Sequence, residues 1–203
     1  MTSKERLIIF TRYPEPGKTK TRLIPALGAQ GAATLQRQMT EHTLLQVREL
    51  QNFHPLLVEV RFTGGDRSLM QNWLGSDLVY QPQGEGDLGS RMARTLCCAF
   101  QENVDRAAII GTDCPGLNAH SIADAFKQLH AHDLVLGPAI DGGYYLIGLR
   151  CFIEELFKGI DWGTAKVLQQ TVDIAKRLDL SVDYLPQLAD VDRPEDLPWQ
   201  QHR

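Results

Sequence analysis

The sequence predicts an α/β domain: a mostly parallel central sheet with helices packed on both faces. Short apolar runs alternate with longer segments of helical period along the whole chain. That alternation calls for right-handed crossovers, which place helices on both sides of a sheet. At 203 residues, with no repeat, low-complexity stretch or linker, the chain reads as a single domain over 1–203.

Taken in order, "RLIIFT" (6–11) is a buried strand, and apolar residues Leu35, Met39, Val47 and Leu50 mark a helix over 29–50. "PLLVEVRF" (55–62) is a strand, "DRSLMQNWL" (66–74) a short helix and "DLVYQ" (77–81) a third apolar run. The glycine-rich turn "PQGEGDLG" leads into a helix over 88–102, and "RAAIIG" (106–111) is a strand. "NAHSIADAFKQLHAH" (118–132) is amphipathic, with Ile122, Ala125, Phe126 and Leu129 on one face. "DLVLGP" and "YYLIGL" flank a Gly-Gly turn as two more strands. A helix over 163–178, the segment "SVDYLP" and the tail "LADVDRPEDLPW" (188–199) complete the chain.

Composition narrows the function. Twenty-one basic against twenty-five acidic residues give a net charge of −4 with no block of one sign, which argues against a nucleic-acid surface and for a small-molecule partner. Cys97, Cys98, Cys114 and Cys151 show neither disulfide nor zinc spacing. The six histidines are scattered, and GxSxG is missing, so neither a histidine metal centre nor a serine hydrolase is supported. The N-terminus is too weakly apolar for a signal peptide and no run approaches a membrane span, which leads us to expect a cytoplasmic protein.

In open parallel sheets ligands bind beyond the carboxyl ends of the strands, so the residues just after each strand matter most. After the first strand comes "FTRYPEPGKTKTRL". Its Gly-Lys-Thr is not a Walker loop: Arg12 stands where the first glycine belongs, and Pro14 and Pro16 remove backbone donors. GxGxxG is missing as well. Instead Arg12, Lys18, Lys20 and Arg22 crowd together, a cluster suited to phosphate or to a solvated loop, with Gly17 allowing close backbone approach.

"PEPGKTKTRL", "GDLGSRM", "GTDCPGL" and "GPAIDGGYYLIGL", with "WGT" and "VDRPEDL" behind them, resemble the GT-A-fold transferase family known as radical-SAM/selenodomain-associated transferases. The resemblance spans nearly the whole chain. It implies a three-layer, Rossmann-like nucleotide-diphospho-sugar transferase fold that binds a nucleotide over its first half, with Mg2+ or Mn2+ bridging the diphosphate. Lys20 and Arg22 would then meet phosphate oxygens.

Asp113 follows an apolar strand and is the candidate metal ligand, because a hard cation takes one or two carboxylates and the remainder from phosphates. Glycosyltransferases with the implied fold usually carry a D-x-D pair, and here Gly111 stands in its first place, which points to a distant second acid. The alternative is that Asp113 caps the turn at Pro115 and Gly116. Asp141, ahead of Gly142 and Gly143, is a candidate catalytic base, acceptor ligand or metal ligand, or else part of a tight hairpin. Asp87 is a second catalytic candidate or a helix N-cap, and Arg91 would reinforce anion binding on that helix. Trp162 is either an acceptor platform or core. Asp192 reads as the cap of a capping box closed by Glu195, and Asp190 is the freer carboxylate.

The function expected is divalent-metal-dependent glycosyl transfer from a nucleoside-diphosphate sugar to a small acceptor. Nucleotidyl transfer with release of pyrophosphate is the alternative, and a non-catalytic nucleotide-binding module the third possibility.

Overall fold

The computed structural model describes residues 4–197. The ends of the predicted tail, Pro198 and Trp199, and His202 lie outside the described residues. The elements run β1 (Glu5–Arg12), α1 (Ile24–Gln51), β2 (Leu57–Thr63), α2 (Arg67–Leu74), β3 (Val79–Pro82), α3 (Leu88–Gln101), β4 (Arg106–Ile110), α4 (Ala119–Gln128), β5 (Leu134–Pro138), β6 (Tyr144–Leu149), α5 (Val167–Arg177) and β7 (Val182–Tyr184).

The seven strands form one sheet in the order β3-β2-β1-β4-β6-β5-β7. All pairings are parallel except those of β6, which runs antiparallel to both β4 and β5. The fold is therefore the expected mostly parallel α/β sheet, with one reversed strand inside it. β5 and β6 form a hairpin through the Asp-Gly-Gly segment, so the hairpin reading of that segment holds.

Alternation along the strands builds two separate cores. On β1, Leu7 and Ile9 point to one face, where Val47, Met70 and Phe126 from α1, α2 and α4 cover them; Ile8 and Phe10 point to the other, under Leu96 of α3 and Ile174 of α5. Helix starts are set by side-chain caps: Asp66, Asp87 and Asn118 accept from the backbone N–H of Leu69, Ser90 and Ser121 at 2.8–2.9 Å.

Three boundaries depart from the sequence expectation. α1 begins at Ile24 instead of residue 29, because Pro25 fits a first helical turn and Gly28, at φ 70, kinks the chain without ending it. α5 begins at Val167, four residues after the predicted start, because Thr164 spends its hydroxyl on Asp161 O (2.8 Å) in a turn before the helix. The C-terminal box is shifted by one: Asp196, not Glu195, accepts from the N–H groups of Asp192 (3.0 Å) and Arg193 (2.7 Å), in a short 3-10 turn. The Asp192 carboxylate is thereby released for other use.

Phe126 is fully buried and packs on the His54 ring at 5.7 Å, whereas Leu45 is 61 % exposed. In urea unfolding, Phe126→Ala is expected to cost about 3–5 kcal/mol. Leu45→Ala should stay within about 0.5 kcal/mol.

Candidate active site

A cleft of about 430 Å³ opens along the carboxyl edge of the sheet. β1, β2, β4 and β5 end there with Arg12, Thr63, Asp113 and Ala139 at or just past their last residues; β6, running backwards, begins there with Tyr144. This is where a parallel sheet leaves backbone groups and side chains free to meet a ligand.

Charged groups converge on the cleft from distant parts of the chain. Asp113, Asp141, Asp190 and Asp192 line it together with Arg12 and Arg22. Lys20 does not line it; its ammonium lies beneath, donating to Asp113 Oδ1 at 2.8 Å and to the Val191 carbonyl at 2.7 Å. Its side chain is only 3 % exposed. Arg22 pairs with Asp192, and Arg12 donates to Lys18 O (2.6 Å) and Thr63 Oγ1 (3.2 Å). Burial and the neighbouring charge of Asp141 raise the Asp190 carboxyl above the usual carboxylate range. Burial, and then Asp190, Asp113 and Asp141, push the Cys114 thiol up to about 12, so it stays protonated at neutral pH and is no nucleophile.

Among the described residues no three His, Cys, Asp or Glu side chains form a ready-made metal cage. A hard divalent ion does not need one, since one or two carboxylates, substrate phosphates and water complete its shell. The excess of acid in the cleft, four carboxylates against two arginines, fits such an ion. Gly111 borders the same space, and a Cβ there would meet nothing within 4 Å, so packing leaves room for a side chain at that position.

The opposite wall is made by two loops locked together. Gly142, at φ +89, sits so close to the second loop that a Cβ would come within 2.3 Å of Ala165 O, and Leu168 N donates to Gly142 O at 2.9 Å. Asp141 Oδ1 accepts from Gly143 N at 2.8 Å, and the residue lines the cleft. Trp162 lies flat enough on Gly89 that a Cβ there would fall 2.4 Å from the indole, and it meets Tyr144 edge-on at 6.5 Å. Its half-buried ring belongs to both the core and the cleft wall.

The candidates thus divide. Arg12, Arg22, Asp113, Asp141, Gly143 and Trp162 line the cleft, and Lys20 touches it through Asp113. Gly142 faces Ala165 rather than open space. Gly17, at φ +80 with nothing near its Cβ position, shapes the first loop away from the cleft lining. Asp87 is exposed outside the lining, and its hydrogen bonds from Ser90 hold its carboxyl below the usual range as an ionised cap. Arg91 donates to Gly86 O at 2.8 Å, bracing the turn before α3.

Sequence reasoning passed over a polar floor. Gln36 of α1 is buried and donates to the hydroxyls of Thr11, Thr40 and Thr112 at 3.1–3.4 Å. Gln83, also buried, lies at the end of β3. A buried position for Gln36 was readable from its place among Ala32, Met39 and Leu44 on the apolar side of α1; the partners were not.

Comparison with known proteins agrees with this fold. A family described as "Uncharacterized protein conserved in bacteria (DUF2064)" matches residues 46–164. A solved structure from Desulfovibrio desulfuricans G20, provisionally named a nucleotide-diphospho-sugar transferase, is 36 % identical, with a TM-score of 0.89 over 96 % of this chain and 85 % of its own. More distant are 4-diphosphocytidyl-2C-methyl-D-erythritol synthase from Anaerococcus prevotii DSM 20548 (10 % identity, TM-score 0.61, 96 % and 94 % covered) and glucosyl-3-phosphoglycerate synthase from Mycobacterium tuberculosis in complex with Mg2+ and UDP (11 %, 0.59, 96 % and 73 %). These two share the fold, which is that of the nucleotide-diphospho-sugar transferases. No functionally curated protein matches the chain.

The locked loops give a stability test. Gly163, at φ +80 with open space beside it, should tolerate alanine at a cost of about 1 kcal/mol. Gly142→Ala adds overlap with the Ala165 backbone and should cost about 2–4 kcal/mol in denaturant unfolding.

Proposed function

The chain belongs to the DUF2064 family, and we propose that it is a divalent-metal-dependent transferase moving a glycosyl group from a nucleoside-diphosphate sugar to a small acceptor. The observation that supports this most is the convergence of Asp113, Asp141 and Asp190 with Arg12 and Arg22 on one cleft at the carboxyl edge of the sheet. Asp113 and Asp190, from the end of β4 and from the C-terminal tail, are the carboxylates that would hold Mg2+ or Mn2+; Asp190 supplies the second acid that Gly111 lacks. The ion, when bound, offsets charge developing on the departing diphosphate.

On this reading Arg12 and Arg22 bind the diphosphate, with Arg22 exchanging Asp192 for a phosphate oxygen. Asp141, its carboxylate fixed at one oxygen by the Gly143 N–H, orients or deprotonates the attacking acceptor hydroxyl with the other. Trp162 forms the wall on which the acceptor lies. Lys20 supports the site from beneath through Asp113, so its effect on phosphate is indirect.

A second reading, nucleotidyl transfer, draws on the tail that brings Asp190 and Asp192 beside Asp113, since paired acids also suit an ion held across an NTP. With Mn2+, release of UDP or GDP from a nucleotide sugar supports the first reading. Release of pyrophosphate from an NTP in the presence of acceptor supports the second. Nucleotide binding without turnover on broad donor and acceptor panels would leave a binding module.

Asp113→Asn keeps an acceptor for Lys20 but removes the charge that matches its buried ammonium, so the ligand-free thermal midpoint should fall. Its Mn2+-dependent gain in affinity for UDP or GDP should fall at least as far as the roughly tenfold that loss of an outer-shell partner costs at a metal site. Calorimetric titration with and without Mn2+ checks this; equal gains in mutant and parent would remove Asp113 from the metal.

A further inference from the structure

Three residues stand abreast where β1, β2 and β3 end. Arg12 pairs with Thr63 across β1 and β2, and Phe62 pairs with Pro82 across β2 and β3, which puts Gln83 beside Thr63. Gln83 N donates to Phe62 O at 2.9 Å and extends that register. All three side chains line the cleft.

The carboxamide of Gln83 has a fixed sense. Its Nε2 lies 3.2 Å from both Thr11 O and Arg61 O. Backbone carbonyls only accept, so the nitrogen must face them and the oxygen must face away. The residue is 6 % exposed, and its Oε1 has no partner among the described residues. Among the described residues, that oxygen is not one of the sealed side-chain atoms that lack a hydrogen bond. A buried amide thus has both donors on the backbone and one acceptor left over, in a residue that lines the cleft.

Its neighbours are donors. Thr63 Oγ1 accepts from Arg12 Nε at 3.2 Å, which leaves the hydroxyl proton free to donate, and the Arg12 guanidinium stands behind it. An acceptor beside a row of donors complements a ring N–H beside a carbonyl oxygen. Uracil presents that pattern at N3–H between O2 and O4, and guanine presents it at N1–H beside O6; adenine and cytosine carry no ring N–H on the corresponding edge.

We propose that Gln83 is the residue by which the cleft reads the base of its nucleotide, accepting a hydrogen bond from the ring N–H of uracil or guanine. The proposal rests on the nucleotide reading above and adds the class of base. A site built to accept an N–H rejects an analogue lacking it, because the buried acceptor is then left dry and unpaired.

The test is calorimetric titration of the full chain, with Mn2+, against UDP, GDP, CDP, ADP, 3-methyluridine diphosphate and 1-methylguanosine diphosphate. UDP or GDP should bind tightest, and its N-methyl analogue should bind at least about tenfold more weakly. In Gln83→Leu that methyl penalty should vanish. An N-methyl analogue within about twofold of its parent, CDP or ADP outbinding both, or a full penalty persisting in Gln83→Leu would overturn the assignment while leaving nucleotide binding in place. If Gln83→Leu fails to fold, the methyl comparison on the parent chain decides. Failure of all four parent diphosphates to bind rejects the nucleotide reading itself and this assignment with it.

Discussion

A buried ammonium organises the site. Lys20 adopts a left-handed backbone conformation, φ 42 and ψ 48, uncommon for a residue with a side chain, and sends its amine inward to Asp113 and the Val191 carbonyl. A cation so far from water must be matched or the structure suffers a large penalty, so both partners are held in place. Val191 N closes the arrangement by donating to Asp113 O at 2.9 Å, and Leu23, Ala32 and Leu197 form an apolar patch around it. The first loop, the end of β4 and the C-terminal tail are joined at one point, and the joint carries Asp190 and Asp192 into the cleft.

This arrangement changes the meaning of the basic loop. As a sequence, four cations between Arg12 and Arg22 pose a repulsion problem that an external anion could solve. In the fold each has an internal answer: Arg12 on Lys18 O, Lys18 on Glu15, Lys20 on Asp113 and Arg22 on Asp192. A phosphate bound there would therefore compete for some of these bonds. The exposed Arg22 pair, worth little in water, yields most readily; the buried Lys20 pair yields least.

The sheet and its helices were legible in the sequence because alternation of apolar runs and helical periods is a local signal. Asp87 announced a helix start for the same reason. Boundaries failed where one side chain chose between two local bonds, as Thr164 did, or where a glycine bent a helix instead of ending it, as at Gly28. The site was legible in part: Asp113, Asp141, Arg12 and Arg22 follow strands or lie in an odd loop, and strand ends are where ligands bind. Asp190 and Gln83 were harder. One is aimed by Lys20 gripping the tail 171 residues away, the other by the register of three neighbouring strands, and neither relation is visible in a linear pattern.

The reversal of β6 divides the cleft into walls of different origin. The walls at β1, β2 and β3 hang from parallel ladders, where any shift of a strand end moves a whole row of backbone bonds. The wall of Asp141 and Gly143 is the tip of a hairpin, secured by the backbone contact between Gly142 and Ala165. Insertions or exchanges at that tip, or in the partner loop around Trp162, reshape one side of the cavity without disturbing strand order. On the proposed function, exchanges in those two loops would alter the acceptor side while leaving the donor's grip on the parallel strands in place.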